Sequence, residues 1–240
     1  MSSLGGERKI ATMLFADLVG STELATELDP EDLRGRLEPF FDAARTALEQ
    51  HGGTVEKYIG DAVMAVFGAP VAHGDDPDRA IAAALTVVDR VSAIDGELAV
   101  RVGIETGEVL AVPESGDLRV TGEAVNAAAR LQQAAAPGEV LVGERTARAC
   151  RRAQLQPNGD VRAKGIEQPL RAFRAMAIEE DAALSAIPLV GREDDLDMLR
   201  LISRRAARER LPQLLTMIGE AGIGKTRLAA ELFEELRTAP

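Results

Sequence analysis

The chain has 240 residues, 46% of them hydrophobic, enough to bury the core of one domain and part of another. One cysteine, Cys150, rules out an internal disulfide framework, and two histidines in glycine-rich surface settings, His51 before Gly52-Gly53 and His73 before Gly74, rule out a histidine-rich zinc site. A formal charge of -11, no tryptophan, one tyrosine and six phenylalanines argue against direct nucleic-acid binding by this chain.

No apolar segment is long enough to span a bilayer, and Met1 to Lys9 lacks the apolar region of a signal peptide, so a soluble, cytoplasmic protein is expected. In chain order, Ile10 to Phe15 predicts a strand and Pro30 to Gln50 a long helix. Thr54 to Ile59 and Ala62 to Phe67 predict two strands joined at Gly60-Asp61, followed by a loop from Gly68 to Gly74. Asp76 to Ile94 predicts an alanine-rich helix with Pro77 in its first turn, where proline is tolerated. Leu98 to Glu105 and Val109 to Val112 predict a hairpin around Thr106-Gly107, with an excursion at Pro113 to Gly116. Gly122 to Ala135 predicts a helix ended by Pro137-Gly138, and short strands continue to Arg174. Hairpins joined to long helices predict an α+β sandwich, with helices packed on a mainly antiparallel sheet.

Two runs carry carboxylates at the ends of strand-like segments, each close to a glycine: Phe15-Ala16-Asp17-Leu18-Val19-Gly20-Ser21-Thr22 and Lys57-Tyr58-Ile59-Gly60-Asp61. Asp17 and Asp61 converge if the first strand neighbours the hairpin that holds Gly60-Asp61, and a carboxylate pair holding two divalent ions suits chemistry at a nucleotide α-phosphorus. Asn126 and Arg130, in Gly122-Glu123-Ala124-Val125-Asn126-Ala127-Ala128-Ala129-Arg130-Leu131, share one face of the predicted helix. Taken singly, each aspartate also reads as a turn or cap residue, and the amide and guanidinium as a solvated helix face. Their coincidence favours the site.

From Arg8 to Ala175 the chain resembles the class III nucleotide cyclase catalytic domain, through these motifs, Val102-Gly103-Ile104-Glu105-Thr106-Gly107-Glu108 and Lys164-Gly165-Ile166. The resemblance implies a ferredoxin-like cyclase sandwich over residues 8–175, and an adenylate cyclase that turns ATP into cyclic AMP and pyrophosphate. It implies that Asp17, Asp61 and the carbonyl of Leu18 hold two Mg2+ or Mn2+ ions per site, that Lys57 contacts the purine, that Asn126 orients the ribose and that Arg130 stabilises phosphate charge. It also implies a homodimer, with the aspartates from one subunit and the lysine and Asn126–Arg130 pair from the other. One position departs from the pattern: Arg119, a donor like Lys57, stands where adenine-reading relatives carry an acceptor. Three readings follow, with Arg119 turned away from the base, a site for GTP, or a weakened site; the alternative to an enzyme is a regulatory domain controlling an attached ATPase.

After Ala175 the texture changes. Residues 176–188 read as a linker, and from Leu189-Val190-Gly191-Arg192-Glu193 onward the chain resembles the entry of an AAA-like signal-transduction ATPase. Met198, Leu199, Leu201 and Ile202 predict the core face of a helix, while Arg200, Arg204, Arg205, Arg208 and Arg210 read as its solvated face. Gln213 to Ile218 predicts a buried strand leading into Gly219-Glu220-Ala221-Gly222-Ile223-Gly224-Lys225-Thr226, a P-loop. Backbone amides beside Gly219, Gly222 and Gly224 would cradle phosphates, Lys225 would reach the outer ones, and Thr226 would hold magnesium. Residues 189–240 are too few for a whole ATPase core and read as its N-terminal fragment.

Overall fold

A computed structural model describes residues 6–21, 26, 29–94, 98–114, 117–161, 169–179, 191–218 and 224–238. The chain divides into two compact units after Ile178. In the first, β1 (Glu7–Leu18), β2 (Thr54–Ile59), β3 (Ala62–Phe67), β4 (Val100–Glu114), β5 (Asp117–Thr121), β6 (Val140–Gly143), β7 (Ala153–Val161) and β8 (Leu170–Ile178) form one sheet. Its order is β2-β3-β1-β4-β6-β8-β7, with β5 folded back on β4. Only the β4–β6 pair is parallel among these strands, so the sheet is mainly antiparallel as expected. Helices α1 (Pro30–Gln50), α2 (Asp76–Ile94), α3 (Glu123–Ala134) and α4 (Glu144–Ala149) complete the unit.

The central strand β1 is buried on both faces from Ala11 to Leu18, which is why its sequence is a continuous apolar run rather than an alternation. Leu14, Ala16 and Leu18 pack with Phe40, Ala44, Ala47 and Leu48 of α1 and with Ile81, Ala84 and Val87 of α2. Ala11, Met13 and Phe15 face the other way, onto Ala124 and Ala128 of α3. Helix α1 starts where the sequence places it because Asp29 accepts hydrogen bonds from the Glu31 and Asp32 amides, each 3.0 Å, ahead of a proline in the first turn.

Two expectations in the first unit are corrected. The predicted hairpin at Thr106-Gly107 is the middle of one long strand: β4 pairs with all of β1, Thr12 opposite Thr106 and Ala11 opposite Gly107. Buried hydroxyls of Thr12, Thr106 and Thr146 stand 2.9 and 3.0 Å apart along a chain across β1, β4 and α4. Gly107 serves the approach of α3, since an added Cβ would sit 3.1 Å from that of Ala124. β4 continues to Glu114 and pairs with β5 from Asp117. His51, expected at the surface, is half-buried with its ring 3.2 Å from the Thr86 hydroxyl.

In the second unit, α5 (Glu193–Glu209) and α6 (Lys225–Thr238) are helical, but Gln213 to Ile218 is not a strand, and Leu214 and Ile218 are 96% and 92% exposed. Among the described residues of this unit there is no strand to complete a hydrogen-bonded ladder. The core face of α5 is set by Leu196 and Leu199, packed on Leu228, whereas Met198 and Leu201 point outward. The linker after Glu179, Leu189, Val190 and the Lys164-Gly165-Ile166 motif lie outside the described residues.

Gly103 decides how close α3 comes to the sheet: a Cβ there would collide with the backbone of Ala128 and Gln132. Gly103→Ala is expected to destabilise the first unit by about 1–3 kcal/mol through overpacking that backbone cannot relieve. Gly35→Ala in α1, where nothing lies within 4 Å of the new Cβ, is expected to stabilise by about 0.5–1 kcal/mol. Urea unfolding of both variants against the parent measures the contrast.

Candidate active site

Asp17 is the penultimate residue of β1, 7% exposed, opposite Ala62 at the start of β3. The β2–β3 turn brings Asp61 beside it: Gly60 takes φ +63°, and the Leu18 amide donates to the Asp61 carbonyl at 3.4 Å. The Ser21 hydroxyl donates to Asp61 Oδ2. The two aspartates, far apart in sequence, therefore meet at one end of the sheet, because β1 lies beside β3.

Asp17 is held from two sides. Arg101, on β4, donates through Nε at 2.8 Å and places Nη2 at 2.6 Å from Oδ2. Gln132, on α3, donates to the same oxygen through Nε2 at 2.8 Å. Burial pushes the Asp17 carboxyl above its ordinary value; the Arg101 hydrogen bond opposes that rise, and the Asp61 charge adds to it. A carboxylate pair with this tension is suited to divalent cations, which favour oxygen donors and relieve the repulsion. Among the described residues, no cluster of three or more His, Cys, Asp or Glu side chains that could hold a metal ion forms; Asp17 and Asp61 are a pair of oxygen donors.

Asn126 and Arg130 lie on the outer face of α3, Asn126 exposed and Arg130 half-exposed, with Arg130 Nη1 2.9 Å from Gln133 Oε1. Gln132 follows Arg130 by two residues, a turn of about 200° at 3.6 residues per turn, so it points to the opposite side, into the sheet. The structure thus brings Asp17 together with Asp61 and aligns Asn126 with Arg130, yet turns the two pairs to different sides of α3. Lys57 follows a bulge at Glu56 on edge strand β2, half-exposed, its Nζ 3.2 Å from Glu56 Oε2. Arg119 is exposed on β5, opposite Val112.

Arg101, Gln132 and Ser21 were not singled out from sequence. Gln132 had a legible signal: it continues the buried stripe of Ala124 and Ala128 at four-residue spacing, a polar residue where the pattern asks for an apolar one. Arg101 shares with Gly103, Glu105 and Gly107 the alternation of one strand face; that alternation is visible only once the segment is read as a single strand.

The first unit matches the model of the Adenylate and Guanylate cyclase catalytic domain over residues 6–175. The chain belongs to that family. Among solved structures this cyclase domain is similar to the adenylyl cyclase CyaB from P. aeruginosa, with 27% identity and TM-score 0.69 over 74% of this chain and 99% of that one. It is equally similar to the guanylyl cyclase Cya2, with 27% identity and TM-score 0.69 over 74% of this chain and 96% of that one. An uncharacterised protein of Rhizobium meliloti is 34% identical over 97% of this chain and 24% of its own length. One of Mycobacterium tuberculosis is 34% identical over 74% of this chain and 34% of its own length. The chain therefore spans about a quarter to a third of the length of these relatives. Residues 188–239 match an AAA ATPase domain. There, Gly224 at φ +92° precedes α6, whose first residues are Lys225 and Thr226; Gly219 and Gly222 lie outside the described residues. Among the described residues no helix is long and apolar enough to cross a membrane.

One further carboxyl in the cyclase domain is unusual. Glu105, 7% exposed between the two glycines of β4, lies against Gly143, where an added Cβ would overlap its Oε2, and that oxygen has no hydrogen-bond partner. Burial raises its pKa from 4.5 to about 7, against the charge and amide of Arg145 and with the help of Glu123 and Glu144. Between pH 4.5 and 7 the folded state then binds more protons than the unfolded one, so stability falls as pH rises through this window. Glu105→Gln is expected to flatten that fall and to be more stable than the parent at pH 8, by on the order of 3 kcal/mol, in denaturant titrations at pH 5 and pH 8.

Proposed function

We propose that the first unit is an adenylate cyclase acting as a homodimer, joined through a linker after Ile178 to a P-loop ATPase segment at 189–240. The observation that carries this reading is the meeting of Asp17 with Asp61 while Asn126 and Arg130 face away from them on α3. One chain displays two halves of a site, and a two-fold axis that presents each half to its complement builds two whole ones.

In the reaction the ribose 3′-oxygen bonds to the α-phosphorus, the bond from that phosphorus to the α–β bridging oxygen breaks, and the hydroxyl proton leaves to solvent, giving cyclic AMP and pyrophosphate. Class III cyclase domains generally use divalent metals, and Mg2+ or Mn2+ at Asp17, Asp61 and the Leu18 carbonyl supplies charge neutralisation and hydroxyl activation when bound. Asn126 of the partnering helix orients the ribose so that the 3′-oxygen lies in line. Arg130, four residues on and on the same face, neutralises charge that grows on the phosphates as the bond breaks. Lys57 donates to the purine. In the second unit, Lys225 and Thr226 at the start of α6 are suited to the phosphates and magnesium of a separate nucleotide.

Arg119 favours a second reading. Two donors, Lys57 and Arg119, suit the O6 acceptor of guanine, whereas adenine requires an acceptor for its amino group, here a backbone carbonyl with Arg119 turned outward. Purified protein supplied with ATP or GTP and Mn2+ distinguishes the two by product. Cyclic AMP is expected. Cyclic GMP instead assigns the guanylate reading, and no product from a folded dimer that binds nucleotide assigns a regulatory domain. Asp17→Ala and Arg130→Ala are each expected to lower turnover by about 100-fold or more, and mixing the two variants to restore one working site per mixed dimer. No recovery in demonstrated mixed dimers overturns the shared-site arrangement.

A further inference from the structure

We propose that Gln132 is a positioning residue for Asp17, and that α3 thereby serves both sites of the dimer, one through each of its faces. This deepens the cyclase reading above and rests on it.

Gln132 is 6% exposed on a helix face otherwise lined by alanine and leucine. An amide at such a position carries a desolvation cost that an apolar side chain would avoid, unless its hydrogen bond is used. Its donor is used on one atom, Asp17 Oδ2, at 2.8 Å. Arg101 meets the same oxygen from β4, with Nε at 2.8 Å and Nη2 at 2.6 Å. Donors converging on Oδ2 from a helix and a strand fix the rotation of the carboxyl group, so that Oδ1 is held in one direction for a cation. Replacing a group that orients a metal-binding carboxylate in this way typically costs roughly 10–100-fold in metal affinity.

The reach of Gln132 depends on Gly103. Because the backbone of Ala128 and Gln132 rests where a Cβ at Gly103 would be, the helix has no side-chain cushion over which to slide. The outward Asn126 and Arg130 and the inward Gln132 are thus carried on one rigid element. In a two-fold dimer, the outer face completes the partner's site while the inner face steadies the aspartate of its own chain. A shift of α3 caused by substrate at one site is felt at the carboxylate of the other.

Gln132→Met keeps the side-chain length and the helix while removing the donor. In the full chain, Mn2+ binding followed by the electron paramagnetic resonance signal of the free ion is expected to weaken about tenfold. Mixed dimers then separate positioning from general support. When one chain carries Asp17→Ala and the other Arg130→Ala, the single working site uses Asp17 of the second chain and Arg130 of the first. Gln132→Met added to the second chain is expected to raise the Mn2+ needed for half-maximal turnover about tenfold, and added to the first to leave it where it was. Equal effects from the two placements, or none from either, overturn the proposal. Mixed dimers without turnover before Gln132 is touched overturn the shared-site reading instead. The Mn2+ titration of the Gln132→Met chain then decides by itself: weaker binding supports the positioning role, and unchanged binding overturns it.

Discussion

Backbone resting on backbone at Gly103 is the contact from which the geometry of the site follows. Helices usually stand off a sheet by the thickness of two side-chain layers, and here one of those layers is missing where α3 crosses β4. The small residues Ala124 and Ala128 extend the same close approach toward Gly107. Brought this near, α3 delivers an amide to a carboxylate on the neighbouring strand β1, something a helix seated on leucines could not do. The tight seat also explains why Glu105, trapped between the two glycines and against Gly143, is squeezed out of water.

The electrostatics of the first unit are arranged around one corner. Asp17 and Asp61 stand together at the end of the central strand, and the chain as a whole carries a net charge of -11. Arg101, Gln132 and Ser21 oppose the repulsion with directed donors rather than with bulk positive charge. Such a corner tolerates, and favours, small multivalent cations. Arg130, proposed for phosphate charge, is by contrast half-exposed on the solvent side of α3, where a long polar substrate has access.

Much of this was legible in the sequence, and the exceptions have physical causes. The ends of α1 and α2 follow from Asp29-Pro30 and Asp76-Pro77, because capping and proline chemistry act within a few residues. The aspartate pair was legible because a strand end and a tight Gly-Asp turn leave few ways to dispose of two carboxylates. The long strand β4 was not, since Thr106-Gly107 has turn-forming residues and only the pairing with β1 overrides them. Arg101 and Gln132 were passed over for a related reason: what they do is defined by a neighbour more than eighty residues away. Gln213 to Ile218 has the composition of a strand, yet composition alone forms no ladder.

The central place of β1 has a consequence for synthesis. It precedes both of its neighbours in the chain, β3 and the far longer β4, so it leaves the ribosome with neither partner made. At about 5–20 residues per second, roughly 5–20 s pass before β4 is complete. During that interval the segment from Ile10 to Leu18 is an apolar ribbon with unpaired edges, the kind of stretch that sticks to its copies on adjacent nascent chains. Production of this unit is therefore expected to depend on translation speed and on chaperones that shelter extended apolar segments, more than its finished stability would suggest.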